Sequence, residues 1–414
     1  MTDQYDNIQI QEDKLPKSKS TLVQSIFNLC NVLMGVGILS LPLAIKYTGW
    51  IIGISLLFFC MGVTNYTARL LIKCLNYKEG LRTYPDIATI AFGNLAYVVI
   101  LVMFSLELIA IAVSLIILIG DSLQILFPNI SLEVLKFIAW VILIPIGLID
   151  LKYLSCCSLL GILTTIILAI VIVIDGFTRD ERPGSLYSPM KTELWPTNWN
   201  SLPFSFGLII AGYAGHSAFP SIYLDMQTPN KYLQAINISY IFGTVIYLLI
   251  AVCGYLMFGN LTKAEITQNI MSTPDQLAFL NKFIVWLVAI NPFTKIGLVL
   301  NPINLYLEIQ YQTSPCNLWT RLRNGCYLLI NFLSRTLVLT VVVLIAIKYP
   351  QFDRAIELIG SFLFYTIAVI FPCMFYLKLY SNNLRWWEWL VNLLIIFVCT
   401  VLAILGTIWA FLFY

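Results

Sequence analysis

The chain has 414 residues, of which 59% are hydrophobic and only 11% are charged. Because soluble domains contain about 25% charged residues, this composition excludes an ordinary soluble protein, and its recurring long apolar stretches indicate a helical membrane protein with many spans. The net charge of +3 says little about partners. From the apolar composition we expect a lipid bilayer as the environment and no nucleic-acid partner.

Apolar segments follow one another along the chain and predict an all-α membrane protein with eleven transmembrane helices. The predicted spans are 21–46, 50–74, 93–120, 131–149, 153–175, 201–224, 235–258, 277–311, 324–348, 355–379 and 387–413. The longest polar interruption, residues 175–200, separates five spans from the next five. This division favours a five-plus-five inverted repeat, because an odd number of spans reverses the second copy.

The same arrangement divides the chain into parts and orients it. We predict a disordered cytosolic tail at 1–20, a first five-span repeat at 21–175, a non-cytosolic loop at 176–200, a second repeat at 201–379 and an eleventh span at 380–414. A cytosolic N-terminus places thirteen Lys and Arg residues in cytosolic segments and nine in non-cytosolic ones. Cytosolic loops are normally enriched in these residues, so we predict a cytosolic N-terminus and a lumenal C-terminus.

A pair of similar interruptions marks the predicted first and sixth spans. In each, a glycine is followed five residues later by a proline, Gly37 by Pro42 and Gly215 by Pro220. Glycine weakens a helix and proline removes a backbone donor, and within a bilayer the freed backbone groups need partners other than lipid. One such segment would be read as a tolerated kink. Two with the same spacing favour a transporter whose discontinuous helices 1 and 6 form the binding site.

A helix that stops within the membrane exposes polar backbone, with about half a positive charge where the helix resumes and half a negative charge where it stops. An amino acid fits such a break, because its carboxylate can bind free N–H groups and its ammonium free carbonyls. We predict carboxylate contacts around Val36, Gly37 and Ile38. Ammonium contacts are predicted at the carbonyls of residues 31–35 and 212–214. The predicted substrate-binding residues are Asn28, Asn31, Gly35, Val36, Gly37, Ile38, Gly212, Tyr213, Ala214, Gly215, His216 and Ser217.

Two asparagines precede the first break. Asn28 and Asn31 are three residues apart and therefore share one helix face. Their side chains could bind the substrate, and they could equally form hydrogen bonds between helices. The sequence leaves both interpretations open.

Several segments of the chain match the pattern of a known family. They are Phe27-Asn28 and Asn31 to Pro42 in the first span, Tyr66-Thr67-Ala68, Thr83 to Ile87, Ala91 to Gly93, Gly215 to Tyr223 in the sixth span, Gly254 to Gly259, Pro292 to Lys295 and Leu358 to Ser361. Together they resemble the amino acid/auxin permease family, and in particular its vacuolar and vesicular branch. The resemblance implies a LeuT-like fold of five plus five inverted spans with an eleventh. It also implies proton-linked exchange that loads neutral amino acids into an acidic vacuole or vesicle.

Coupling to protons requires an ionisable group inside the membrane, where such groups are costly and rare. Glu107, Lys295 and His216 lie near the centres of their predicted spans and are the candidates for proton coupling. His216 is the single histidine, and the ordinary pKa of histidine lies close to the pH of an acidic compartment. Alternatives stay open, because Glu107 and Lys295 could form a structural ion pair and His216 could only cap broken backbone.

The resemblance also implies a role for Thr294 and Lys295 near an ion site. In sodium-coupled relatives of the LeuT fold, this region of the eighth span helps to bind the ion beside the first break, so 294–295 is the predicted ion-site region. A Lys295 ammonium in that position would act as a built-in cation and argue against sodium dependence.

Three functional classes compete. The leading one is a monomeric secondary transporter, a proton antiporter that takes an amino acid and protons as its ligands. The alternative is a proton- or sodium-coupled symporter, or an amino-acid sensor on the same fold. An enzyme is not expected, since the chain has one histidine, no cluster of metal ligands and no paired catalytic acids. No Gly-rich nucleotide-binding loop is present, which argues against an ATP-driven pump, and no cofactor is expected.

Overall fold

A computed structural model describes residues 19–149, 151–272, 278–313, 317–349 and 360–412 of the chain. Within these ranges the chain is almost entirely helical. Its α-helices are α1 (Leu22–Leu33), α2 (Leu41–Leu75), α3 (Tyr84–Phe92), α4 (Asn94–Leu126), α5 (Leu132–Gly147), α6 (Leu151–Thr178), α7 (Leu202–Ala211), α8 (Phe219–Asp225), α9 (Tyr232–Phe258), α10 (Ile266–Ser272), α11 (Ala278–Thr313), α12 (Asn317–Lys348), α13 (Phe371–Leu379) and α14 (Trp386–Leu412). Two π-helical segments, Gly360–Phe364 and Thr366–Ile370, precede α13.

Eight helical segments in the described ranges are long and apolar enough to cross a membrane. They are Gly37–Leu75, Asn94–Leu126, Tyr153–Thr178, Pro229–Leu261, Lys282–Gln310, Leu329–Lys348, Ser361–Leu379 and Trp386–Ala410. The remaining predicted spans contain shorter helices, namely α1 in 21–46, α5 in 131–149, and α7 with α8 in 201–224. The protein is therefore an all-helical membrane protein, and the count of eleven spans stays a prediction.

Two helical stretches within α2 meet at Gly49, which lies between the predicted first and second spans and is not helical. The φ of Gly49 is +68°, in the left-handed region that favours glycine. A Cβ on Gly49 would also lie 2.6 Å from the Trp195 carbonyl carbon. The next amide, that of Trp50, donates to the Glu193 carbonyl at 3.2 Å. The kink at Gly49 therefore anchors the loop that separates the two halves of the chain.

Helices from both halves of the chain pack together in the interior. Helix α11 packs against α4 and α6, and α9 packs against α1 and α2. Helix α2 also packs against α7, and α1 packs against α6. The segments that follow α1 and α7 are buried within this packing.

Ser20, at the end of the predicted tail, is tied to the segment after α8. Its amide donates to the Asp225 carbonyl at 2.8 Å, and its carbonyl accepts from the Gln227 amide at 2.9 Å. The Ser20 hydroxyl also donates to the Asp225 carboxylate. Residues 1–18 of the predicted tail lie outside the described residues.

Candidate functional site

The first interruption follows α1 in an apolar stretch. Helix α1 ends at Leu33, and Gly35 is extended with φ of −67° and ψ of −168°. A 3-10 helix at Val36–Ser40 then leads into α2, whose first turn contains Pro42. Proline is tolerated in a first turn, where its missing N–H costs no intrahelical hydrogen bond. The chain therefore leaves the α-helical conformation between Leu33 and α2, as the glycine and proline positions require.

The second interruption lies between α7 and α8. Helix α7 ends at Ala211, and α8 begins at Phe219 with Pro220 in its first turn. Every residue from 211 to 220 is buried. The peptide groups between these two short helices are therefore surrounded by protein and not by lipid.

The two interruptions lie against each other. An added Cβ on Gly37 would be 3.1 Å from the Gly212 nitrogen and 3.2 Å from the Ala211 carbonyl carbon. A Cβ on Gly215 would be 2.9 Å from Val32 Cγ1. Glycine at both positions permits this close approach, because a Cβ at either one would crowd atoms of the facing segment.

A cavity with a volume of about 40 Å³ lies beside both interruptions. Among the predicted site residues, it is lined by Asn31, Gly35, Ala214, Gly215, Ser217 and Lys295. The structure places Ile38 at a neighbouring cavity, which Gly35 also lines. The cavity thus brings together residues from α1, both interruptions and α11.

Much of the remaining cavity wall is apolar and was missed from the sequence. It comprises Leu108, Ile111 and Leu115 of α4, Leu298 and Val299 of α11, and Phe364. The three α4 residues follow Glu107 at spacings that place them on one helix face, which is the signal that could have identified them. An apolar wall with few polar groups is typical of a small-molecule site.

The two asparagines of α1 have different surroundings. Asn28 Oδ1 accepts a hydrogen bond from the Ser158 hydroxyl of α6 at 2.7 Å. Asn31 Nδ2 donates to the Thr294 carbonyl of α11 at 3.2 Å. Both side chains therefore join helices, but Asn31 also lines the cavity and its Oδ1 has no hydrogen-bond partner among the described residues. Asn31 is thus the one of the pair that faces the cavity.

The Lys295 side chain reaches the first interruption from α11. Its Nζ donates to the Met34 carbonyl, immediately after the last residue of α1. The neighbouring Thr294 hydroxyl donates to the Asn291 carbonyl of its own helix at 2.6 Å. The lysine therefore places a positive group against carbonyls at the negative end of α1.

Glu107 is buried in α4, with 1% of its surface exposed, and the side chain of Ser217 lies beside its carboxyl group. Its Oε2 has no hydrogen-bond partner in the part of the chain that the structure describes. Glu107 and Lys295 both lie within the described ranges and form no ion pair with each other. The Lys295 ammonium instead donates a hydrogen bond to the Met34 carbonyl. The alternative of a structural pair between them is therefore not supported.

The side chains of His216 and Tyr213 point away from the cavity into the neighbouring helices. His216 Nε2 lies 3.0 Å from the Thr67 hydroxyl and 3.1 Å from the Thr64 carbonyl, both on α2. Its Nδ1 has no partner within the described ranges. The Tyr213 hydroxyl lies 3.0 Å from that of Thr244 on α9. These two residues therefore fasten the second interruption to the helices around it.

Gly161 of α6 lets Asn31 and Thr294 approach closely. A Cβ on this glycine would overlap with Asn31 Oδ1 and with Thr294 Oγ1. We expect Gly161→Ala to cost about 1–3 kcal/mol of stability and to weaken amino-acid binding, because α1 or α11 must move. Thermal unfolding and binding assays check this. The control is Gly62→Ala, on the exposed face of α2 where a Cβ meets nothing within 4 Å; equal behaviour of the two variants would contradict the prediction.

The chain is similar to known amino acid transporters. A family model described as "Transmembrane amino acid transporter protein" matches residues 18–413. The amino acid transporter AVT1D of Arabidopsis thaliana is 34% identical over 377 residues, which cover 87% of this chain and 64% of that protein. The chain thus corresponds to less than two-thirds of that relative's length. AVT1E of the same organism is 32% identical over 398 residues, covering 94% of this chain and 72% of that protein.

A solved structure shows the same fold. The crystal structure of MhsT in complex with L-phenylalanine superposes with a TM-score of 0.65 at 12% sequence identity. The match covers 94% of this chain and 98% of that one. At this identity the similarity concerns the arrangement of the helices, which is LeuT-like.

Proposed function

Because the chain belongs to the transmembrane amino acid transporter family, we propose that it is a secondary active transporter that moves neutral amino acids across a membrane. One observation carries the proposal: two interrupted helical segments from the two halves of the chain touch beside a largely apolar cavity. Buried peptide groups can bind the two charged ends of a zwitterion, and an apolar wall accommodates an uncharged side chain.

In this proposal the substrate bridges the two interruptions. Its carboxylate binds N–H groups around Val36, Gly37 and Ile38, at the end where the helix resumes. Its ammonium binds the carbonyls near the ends of α1 and α7, which carry the negative ends of the helix dipoles. Its side chain lies against the apolar wall, which supports a neutral amino acid as substrate.

The proposal includes the membrane architecture. It has eleven spans in a five-plus-five inverted repeat at 21–175 and 201–379, with discontinuous helices 1 and 6. The helix ends on both sides of each interruption and the LeuT-like fold support this arrangement. The distribution of Lys and Arg supports a cytosolic N-terminus and a lumenal C-terminus. We propose a monomer in a vacuolar or other acidic-organelle membrane, following the sequence resemblance.

We further propose that transport is antiport with protons and that Glu107 carries the coupled proton. A buried acid without an ion pair is a candidate proton carrier inside a membrane, and Glu107 lies beside Ser217 at the second interruption. His216 is the second candidate, since its Nδ1 has no partner within the described residues. In this scheme protons leaving the acidic compartment drive the accumulation of amino acid in it.

Lys295 takes the place of a metal cation in the proposal. Its ammonium is bonded to the Met34 carbonyl at the end of the first helix. We expect Lys295→Ala to reduce transport several-fold and to make it sensitive to sodium, because a carbonyl at the negative helix end loses its cation. Uptake measured over a range of sodium concentrations checks this. The control is Lys282→Ala, which replaces an exposed lysine of the same helix. A Lys295→Ala protein with unchanged, sodium-insensitive transport would contradict the role of Lys295 as a built-in cation.

The proposed function is tested with the full chain reconstituted in liposomes. Uptake of a panel of labelled amino acids is measured while proton, sodium and voltage gradients are imposed separately. We expect accumulation of neutral amino acids driven by an acidic interior and unaffected by sodium. Accumulation that follows protons or sodium inward would indicate a symporter. Amino-acid binding without flux would indicate a sensor and would overturn the transport proposal.

A further inference from the structure

One tyrosine hydroxyl lies between the two interruptions. Tyr247, on α9, is completely buried. Its hydroxyl is 2.5 Å from the Leu33 carbonyl, and it also contacts the Gly212 carbonyl. Leu33 is the last residue of α1, and Gly212 directly follows α7. A single side chain therefore contacts the carbonyl ends of both interrupted segments.

The Tyr247 hydroxyl contacts two carbonyl acceptors but has fewer hydrogens than acceptors. A tyrosine hydroxyl has one hydrogen to donate, so it can serve only one of the two carbonyls at a time. The Leu33 carbonyl has a second donor, the Gly35 amide at 2.7 Å. No other donor contacts the Gly212 carbonyl within the described ranges. Since a buried carbonyl without a donor is unfavourable, this pair of carbonyls can accept an additional donor.

An ammonium group supplies that donor. It has three N–H bonds, so it can bind one carbonyl while the Tyr247 hydroxyl donates to the other. Resting on the function proposed above, we propose that Tyr247 is a positioning residue that holds the carbonyl ends of α1 and α7 together and leaves one of them for the substrate ammonium. The two interruptions then respond to the substrate as one unit.

The packing of the Tyr247 ring supports this role. An added Cβ on Gly212 would lie 3.3 Å from Tyr247 Cε2, so the ring packs directly on the peptide whose carbonyl its hydroxyl contacts. The ring also lies edge-on to that of Tyr213, with centroids 5.2 Å apart. Gly212→Ala is therefore a second way to disturb the contact, because it displaces the ring and keeps the hydroxyl.

The same helix offers a matched control. Tyr232 of α9 is also fully buried, and its hydroxyl has no hydrogen-bond partner among the described residues. Tyr232→Phe removes the same atom from the same helix without removing a contact to either interruption. Any difference in ligand binding between Tyr232→Phe and Tyr247→Phe is therefore due to the loss of the hydroxyl contacts with the Leu33 and Gly212 carbonyls.

The test compares leucine with 4-methylpentanoic acid, which is leucine without its amino group, as competitors for binding to the full chain in detergent. The wild type is expected to prefer leucine strongly. Tyr247→Phe should reduce this preference about tenfold, because the carbonyl ends of α1 and α7 are no longer held together for the ammonium, whereas Tyr232→Phe should keep it. General damage to the fold would weaken both ligands and leave their ratio unchanged.

The outcomes separate this inference from the proposed function. If the wild type binds leucine and Tyr247→Phe keeps the full preference for leucine, the positioning role is wrong and the transport proposal stands. If the wild type binds no amino acid of the panel, the proposed function itself fails. If Tyr247→Phe does not fold, Gly212→Ala decides: a reduced preference for leucine supports the role, and an unchanged preference overturns it.

Discussion

Gly37→Leu is expected to abolish amino-acid binding. A Cβ at this position would already lie 3.1 Å from the Gly212 nitrogen and 3.2 Å from Ala211 Cβ. The further carbons of leucine would push the first interruption away from the second, so that the peptide groups proposed to bind carboxylate and ammonium no longer face one substrate. We expect a loss of affinity of at least 100-fold, about 2.7 kcal/mol, measured by binding of a labelled neutral amino acid.

Gly62→Leu is the control for this prediction. It introduces the same side chain on the exposed face of α2, where a Cβ meets nothing within 4 Å. Size-exclusion chromatography and thermal unfolding show whether each variant is folded. Gly215→Leu provides a second variant with the same expected loss, since a Cβ there would lie 2.9 Å from Val32 Cγ1. Wild-type affinity in a folded Gly37→Leu protein would defeat the placement of the substrate at the interruptions.

The ends of α1 and α7 have local causes in the sequence. A glycine that lowers helix stability and a proline that lacks an N–H act on their own turn of the chain. The ends of α1 and α7 therefore fall close to the residues that the pattern indicates, at Leu33 and Ala211. The assignment to the transmembrane amino acid transporter family, suggested by the same segments, is confirmed by the match over residues 18–413.

The surroundings of the interruptions could not be predicted in the same way. Tyr247 is one of 22 tyrosines, and nothing in its local sequence distinguishes it from Tyr232. Its role depends on α9 packing against α1 and on the contact of its hydroxyl with Gly212 after α7, which are properties of the tertiary structure. Phe364 likewise reaches the cavity from a distant segment. Contacts between segments that are far apart in the chain produce no periodic pattern in a single sequence, so they cannot be predicted from it.

Glu107→Gln is expected to abolish accumulation driven by a pH gradient while preserving amino-acid binding and exchange. Glutamine has the shape of the protonated acid but does not release a proton. A charged group in the middle of a membrane helix costs about 2.5–3.5 kcal/mol on insertion scales, so the buried position of Glu107 favours a role in which its charge is transient. Its position outside the cavity lining makes retained binding the expected result.

Two assays on the same liposomes separate coupling from binding. In the first, an acidic interior drives uptake of a labelled amino acid, and Glu107→Gln should show no accumulation. In the second, unlabelled amino acid inside exchanges for labelled amino acid outside without a pH gradient, and the variant should retain most of the wild-type rate. Glu133→Gln makes the same change at an exposed position in the first turn of α5 and should behave as wild type in both. Normal accumulation in Glu107→Gln would remove Glu107 from the coupling step and leave His216 as the group to test, whereas loss of both activities would assign Glu107 to substrate binding.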